Sequence, residues 1–532
     1  MGEKLFLNLS SKFAEVLPTI ANPPNPTMPI TKNGIWVTRM WYDAMPYPKY
    51  FEEAYALLER LHGYGLRNLM VRDHGSLYRQ YSPKRRGESM SLVTDIEPAI
   101  GGDEAARTYF AKAQNDLGYR MGVYTNFTLI SPLMPDEFDV DKLTQDSDGN
   151  WRYGSSNPKM YKHAYMLEAQ RRINPILKEK FDLKCSYPDQ YTCRPPWAFT
   201  DYDARVPEAG KFSPALRVLA ACLILEREVF EVPLSEGIMQ WPLAGYCDSY
   251  AQPGSPGEAY FPEFQLRRIH NLSNDTGTHL SNFFFSNSKP ELLDRFLSGQ
   301  IVNGVIGHLF DFGIGKPSKK ITFPTFKSYY IMKQLQLFYA GIKIEEILYH
   351  HNGQLLNAAE AIAAGATESN QVYLKYANGL EAWVNGNSGK EWLINCAGEA
   401  MRLPVYGYCA MLKDQVMTYS AMQDERRVDY SFGPEYLFFN GNGAKTTFPG
   451  ANAINAYAVN WEDDCVNVIP LPFVSEETIE VDLAFLPFAP GETIELIDGQ
   501  GKVVGSEALE VQAGKIMLPI RKNIMRYRAK KQ

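Results

Sequence analysis

From about residue 34 the chain alternates short apolar, β-branched runs with longer stretches whose apolar residues recur at helical spacing. Ile35-Trp36-Val37-Thr38 reads as a strand. Phe51, Tyr55, Leu58 and Leu61 then share one helical face, closed by Gly63 and Gly65. Arg67 to Arg72 is a second strand. Asp103 caps a helix running to Leu117, with Gly118 as its stop, and Tyr119 to Tyr124 is a third strand. A long helix over Pro158 to Phe181 precedes a fourth strand, Leu183 to Tyr187. Ser213-Pro214 opens the next helix, which runs to about Phe230, and Val232 to Ser235 is the fifth strand. Asn303 to Phe310 reads as a later strand and Phe323 to Tyr349 as the helix that closes this region.

Strand–helix alternation on this scale requires parallel β-structure. A doubly wound sheet and a closed barrel both fit. The length, and polar residues gathered after strands throughout rather than at one switch point, favour a (β/α)₈ TIM barrel. The stretch 250–300 leaves some strands unplaced. After residue 353 the pattern changes to antiparallel hairpins. Val372 to Tyr376 and Leu380 to Val384 flank Asn378-Gly379, and Thr493 to Ile497 turns through Asp498-Gly499 into Lys502 to Val504. The expected fold class is therefore α/β: an N-terminal segment over 1–29, a barrel over 30–352 and a C-terminal antiparallel β-sandwich over 353–532.

Composition narrows the function. The chain has 532 residues, 45% hydrophobic and 22% charged, ordinary values for a globular protein of more than one core. A net charge of −7 gives no basic face for nucleic acid, and no apolar run reaches membrane-span length. Aromatics stand at 13%. Dense β-structure uses such rings, and so does a surface that stacks sugar rings. The seven cysteines contain no Cys-x-x-Cys pair; Cys185 and Cys193 flank a short loop, where a disulfide and two thiols are equally compatible with the spacing. No secretory signal precedes the strand-like Leu5 to Leu9. That places the protein in the cytoplasm or, the reading the abrupt start favours, in the periplasm or outside the cell after removal of a signal and an upstream domain.

In such a barrel, chemistry sits where strands end. Asp189 follows the fourth strand, in Pro188-Asp189-Gln190-Tyr191, and Glu236 ends the fifth, in Ser235-Glu236-Gly237. Neighbouring strands lie about 4.8 Å apart, close to the roughly 5–5.5 Å that separates the carboxyls of a retaining glycosidase. One carboxylate must attack the anomeric carbon in ionised form. The other must hold a proton for the leaving oxygen, and its neighbour's charge helps to keep it there. Asp189 is the expected nucleophile and Glu236 the expected acid/base. Each alone also fits a cap or an ion pair; two on consecutive strands, flanked by Trp197 and Trp241, point to function.

The Asp189 segment, the run Asp201-Tyr202-Asp203-Ala204-Arg205-Val206-Pro207 and the Ser235-Glu236-Gly237 segment resemble bacterial barrel hydrolases related to glycoside hydrolase family 101, the endo-α-N-acetylgalactosaminidase-like enzymes. The resemblance covers roughly residues 30–350. It implies an Asp nucleophile after strand four, a Glu acid/base after strand five, retention, an α-linked glycoside and a C-terminal β-domain. The founding members are much longer, so their substrate does not carry over.

Trp41 and Asp43 after the first strand, Asp73 and His74 after the second and Asn126 after the third would line the same mouth and hydrogen-bond sugar hydroxyls. A capping or loop-ordering role suits each as well. Asp201 and Arg205 either meet substrate or pair to hold their loop. Asp248 and Asp311 are alternative third carboxylates. No cofactor or metal is expected: His350-His351 lacks a partner at metal-ligand spacing, and no His-Glu-x-x-His occurs. Gly441 to Thr446 lacks the Gly-Lys-Ser/Thr order of a phosphate loop, and no Gly-x-Ser-x-Gly elbow is present. The competing reading is a barrel that binds carbohydrate without cleaving it. A metal-dependent isomerase or an aldolase would need a metal cluster or a strand-end lysine.

Overall fold

The structure, a computed structural model, describes residues 7–10, 13–16, 26–39, 47–73, 77–78, 93–130, 138–153, 159–236, 241–243, 245–247, 249–251, 260–263, 266, 292–310, 321–472 and 475–532. Six strands stand side by side in chain order: β1 (Ile35–Arg39), β2 (Leu69–Asp73), β3 (Arg120–Thr125), β4 (Cys185–Pro188), β5 (Val232–Glu236) and β6 (Ser249–Ala251). Every neighbouring pair is parallel. Four helices lie in the crossovers between the first five strands: α1 (Tyr50–Gly63), α2 (Gly102–Asn115), α3 (His163–Phe181) and α4 (Ser213–Phe230). Each buries one stripe; α1 sets Phe51, Ala54, Leu58 and Leu61 against the sheet.

On the free side of β1, Trp36 donates its N–H to Gly307 and accepts from the Leu309 N–H, both at 2.9 Å, in a parallel bridge centred on His308. The sheet has thus curled far enough for this later segment to lie beside the first strand. It forms a parallel half-barrel; between β6 and His308, residues 252–259, 264–265 and 267–291 fall outside the described residues.

Beyond Ile344 all pairing is antiparallel. A fifteen-stranded sheet and a five-stranded sheet share one core, built from residues such as Trp383, Tyr430, Phe439, Phe448, Val481 and Leu518. Alternate residues of the larger sheet face the other way. Val372, Leu374, Val384, Tyr436 and Phe438 join the core of the parallel region. This sheet is therefore buried on both faces. Charges reinforce the contact: Lys327, 3% exposed, meets Asp294 at 2.6 Å and Asp429 at 2.7 Å, and Arg427 also holds Asp294. Among the described residues no helix is long and apolar enough to cross a membrane.

The structure corrects several sequence expectations. The helix expected over Phe323 to Tyr349 stops at Met332, resumes for one turn at Gln336–Tyr339, and gives way to the strand Ile344–His351. The antiparallel sheet thus begins nine residues before position 353. The long third helix starts at His163 rather than Pro158, and α2 is capped by Gly101 at φ 116°, with Asp103 in its first turn. The strand expected over Asn303 to Phe310 is reduced to the one bridge at His308. Cys185 and Cys193 are both free thiols.

Candidate active site

Register brings the two carboxylates together. β4 pairs with β5 through Cys185 with Val232 and Ser186 with Pro233. Counting four residues along each strand sets Asp189 beside Glu236, with both side chains on the face that carries Tyr187 and Leu234. The ladder towards β3 continues through this point, since the Asp189 N–H donates to Thr125 O at 2.8 Å. The neighbouring loops are tied: Ser235 Oγ donates to Pro188 O at 2.6 Å, and Thr192 Oγ1 donates to Glu236 O.

Asp189 lies in a nest of donors. Tyr124 Oη donates to its Oδ2 at 2.8 Å and Asn126 Nδ2 at 3.1 Å, and the Gln190 N–H also reaches the carboxyl. Asn126 is itself fixed, its Oδ1 accepting from the Thr128 N–H at 3.0 Å and from Thr128 Oγ1 at 2.8 Å. Gln190, immediately after Asp189, is in the left-handed region at φ 65°, and this turns the chain sharply behind the carboxylate.

Asp189 and Glu236 are both half-buried and within hydrogen-bonding reach of one another. Desolvation, then the negative charge of Glu236, then the hydrogen bond between them hold Asp189 well above the usual carboxylate range; the donors Tyr124 and Gln190 pull the other way. The side chain keeps an opening to solvent even though its surroundings are dense. The upward push therefore lands on the expected nucleophile. Two carboxyls in contact titrate as a unit.

The walls carry further polar groups. Arg72, on β2 and 1% exposed, stacks over the Tyr187 ring at 3.7 Å. Burial and then Arg72 push His308 down to about 3, so its ring is neutral. Cys193 faces Glu236; burial, then the charges of Glu236 and Asp189, push its thiol well up and keep it protonated.

The other sequence candidates separate. Asn126 positions Asp189. Asp73 ends β2 and is 0% exposed. Asp201, also buried, accepts from the backbone N–H groups of Gln145 at 3.0 Å and Asp203 at 3.2 Å, which orders its loop. Arg205 does not pair with Asp201. Its guanidinium meets Asp203 and Asp141, and Asp203, held first by Arg205 and then by Lys162, is kept far below its ordinary range. Trp197 is 56% exposed in the turn Pro196–Phe199 after β4, a ring open to solvent. Trp241 opens the turn Trp241–Leu243 after β5. Trp41, Asp43, His74, Asp248 and Asp311 lie outside the described residues.

Sequence reading missed Tyr124, Arg72 and Tyr187, which look like core residues of their strands. A period-two count back from Asn126 and Asp189 would have found both tyrosines.

No protein-family profile matches the chain, and no curated protein matches it either. Among solved structures, the ligand-free α-N-acetylgalactosaminidase NagBb of Bifidobacterium bifidum is 13% identical with a TM-score of 0.47, over 68% of this chain and 58% of that one. The chain thus spans less than two thirds of NagBb. The maltogenic α-amylase AmyB of Thermotoga neapolitana is 10% identical with a TM-score of 0.34, over 93% and 98% of the two chains. The trehalulose synthase MutB of Pseudomonas mesoacidophila MX-45 is 12% identical with a TM-score of 0.36, over 94% and 99%. Overlaps this loose carry no weight for the chemistry of the chain.

Proposed function

We infer that the protein is a retaining glycoside hydrolase acting on an α-linked glycoside, its parallel strands closing as a (β/α)₈ barrel ahead of a C-terminal β-sandwich that begins at Ile344. The observation that carries this reading is the contact between Asp189 and Glu236 at the ends of adjacent parallel strands. One ionised and one protonated carboxyl is the state that double displacement starts from.

Asp189 attacks the anomeric carbon as the bond to the leaving oxygen breaks, and Glu236 gives that oxygen its proton. The glycosyl ester on Asp189 is then opened by water, whose proton returns to Glu236. The donors Tyr124, Asn126 and Gln190 N–H favour the ionised form of Asp189 that attack requires. Trp197 offers a ring to the sugar.

A second reading, a barrel that binds carbohydrate without cleaving it, is favoured by the closeness of the pair. Carboxyls in contact lack the roughly 5–5.5 Å gap that a scissile bond occupies in retaining enzymes. Chromogenic α- and β-glycosides, with product stereochemistry followed by NMR, separate the two. The glycosidase reading expects hydrolysis with retention, abolished in Asp189→Asn. Sugar binding without turnover, or turnover surviving in Asp189→Asn, contradicts it.

A further inference from the structure

Behind the site is a carboxylate that the proposed reaction does not use. Glu226, on α4, is 0% exposed and falls on the helix's apolar stripe with Leu219, Leu223 and Phe230. Its Oε1 accepts from Gln170 Nε2 at 2.7 Å and from Asn174 Nδ2 at 2.8 Å, both on α3. Gln170 Nε2 also donates to Cys222 O at 2.9 Å. With its nitrogen committed to two acceptors, the Gln170 amide must turn Oε1 the other way. There it accepts from Tyr191 Oη at 3.2 Å. Tyr191, 0% exposed, follows the left-handed Gln190, which follows Asp189.

We propose that Glu226 is a positioning residue, which through the Gln170 amide and the Tyr191 hydroxyl holds the turn that presents Asp189 to Glu236. The chain of bonds runs from the helical layer to the rim of the sheet. A tight turn with a non-glycine residue in the left-handed region gains from a fixed point on its far side. Tyr191 supplies that point through Gln170, with the Cys222 thiol as a second partner of its hydroxyl. Glu226 Oε1 and Cys222 O together fix the Gln170 amide, and an apolar residue at 226 removes the shorter of these two bonds and loosens it. The assignment of Asp189 as nucleophile rests on the proposed function; the mechanical link to the turn does not.

The test pairs kinetics with hydrogen–deuterium exchange on Glu226→Leu, Tyr191→Phe and their double variant, with Glu226→Gln as the conservative change. Glu226→Leu and Tyr191→Phe should each lower kcat by about 10²-fold with KM little changed, as misplacement of a reacting group does. The double variant should lose no more than the worse single, since both cut one chain. Glu226→Gln, which keeps an acceptor at Oε1, should recover roughly tenfold or more of the Glu226→Leu loss. Exchange at the amides of residues 190–193 should rise in both single variants while α2 is unchanged. Unaltered exchange at 190–193, or a rise equal across the protein, overturns the proposal, as do additive losses of kcat. Faster exchange confined to 190–193 in a protein with no glycosidase activity upholds the positioning chain and sinks the functional reading instead. Tyr191→Phe removes one oxygen, so the proposal stays testable if Glu226→Leu fails to fold.

Discussion

Replacing Glu226 by glutamine tests the buried network from the side of stability. Burial holds this carboxyl above its ordinary 4.5, at about 7, with the side chains of Ser186, Asn174, Gln170 and Thr125 opposing the rise. The Ser186 and Thr125 hydroxyls face Oε2 without an aligned hydrogen bond, so a proton on Oε2 has an oxygen to donate to. The folded state keeps that proton after the unfolded chain has released it. Stability from this group is therefore fully present below pH 4.5 and is lost as the pH rises to about 7. At about 1.4 kcal/mol per pH unit the loss comes to about 3 kcal/mol, a large part of a typical 5–15 kcal/mol. Glu226→Gln fills the same space and cannot ionise. Urea unfolding at pH 4.5, 6 and 8 should show the variant gaining on the parent by about 3 kcal/mol across that range, with the gain complete near neutrality. Parallel stability curves for the two proteins would refute the burial argument, as would a gain in the opposite direction.

Glu236→Gln removes the proton donor and should cost about 10²–10⁴ in kcat on glycosides with poor leaving groups, and much less on activated aryl glycosides; equal losses on both would count against the acid role. Lys327→Met strips the buried cation from Asp294 and Asp429 and should destabilise the protein by about 3–5 kcal/mol, read as a drop in urea midpoint. In the antiparallel region, the Cys396 and Cys409 sulfurs stand 3.2 Å apart, needing to close to about 2.05 Å to bond. Oxidised glutathione should join them with loss of two thiol hydrogens and release of two reduced glutathiones. Intact mass and a disulfide-linked peptide check this, and alkylation of Cys396 and Cys409 themselves after unfolding in the absence of reductant would contradict it.

The five parallel strands were legible because short β-branched runs alternate with striped helices. The segment Ile344–His351 was not. Its buried Ile344 and Ile347 are three residues apart, a helical spacing, and a register shift opposite Lys375 and Tyr376 breaks the strand's own period. The start of the antiparallel region was misplaced for a related reason, because a sheet buried on both faces gives no polar face to mark where one core ends. Asp189 and Glu236 could be read as strand-end carboxylates, and the register then adds their contact. Arg72 could not, since inward-facing residues of a buried strand resemble core; Tyr124 was reachable only by counting back two residues from Asn126. Glu226 had a readable signal, a lone carboxylate on the apolar stripe of α4, that the strand-end argument passed over.

In the proposed reaction Asp189 forms a covalent bond to sugar. Incubation with a slow-turnover α-glycosyl fluoride bearing a ring fluorine, followed by proteolysis and peptide mass analysis, measures it directly. One glycosyl unit is expected on the peptide containing Asp189, absent in Asp189→Asn and released when an acceptor is added. Hydrolysis of ordinary substrates with inversion, or a glycosyl unit carried by another residue, would contradict it.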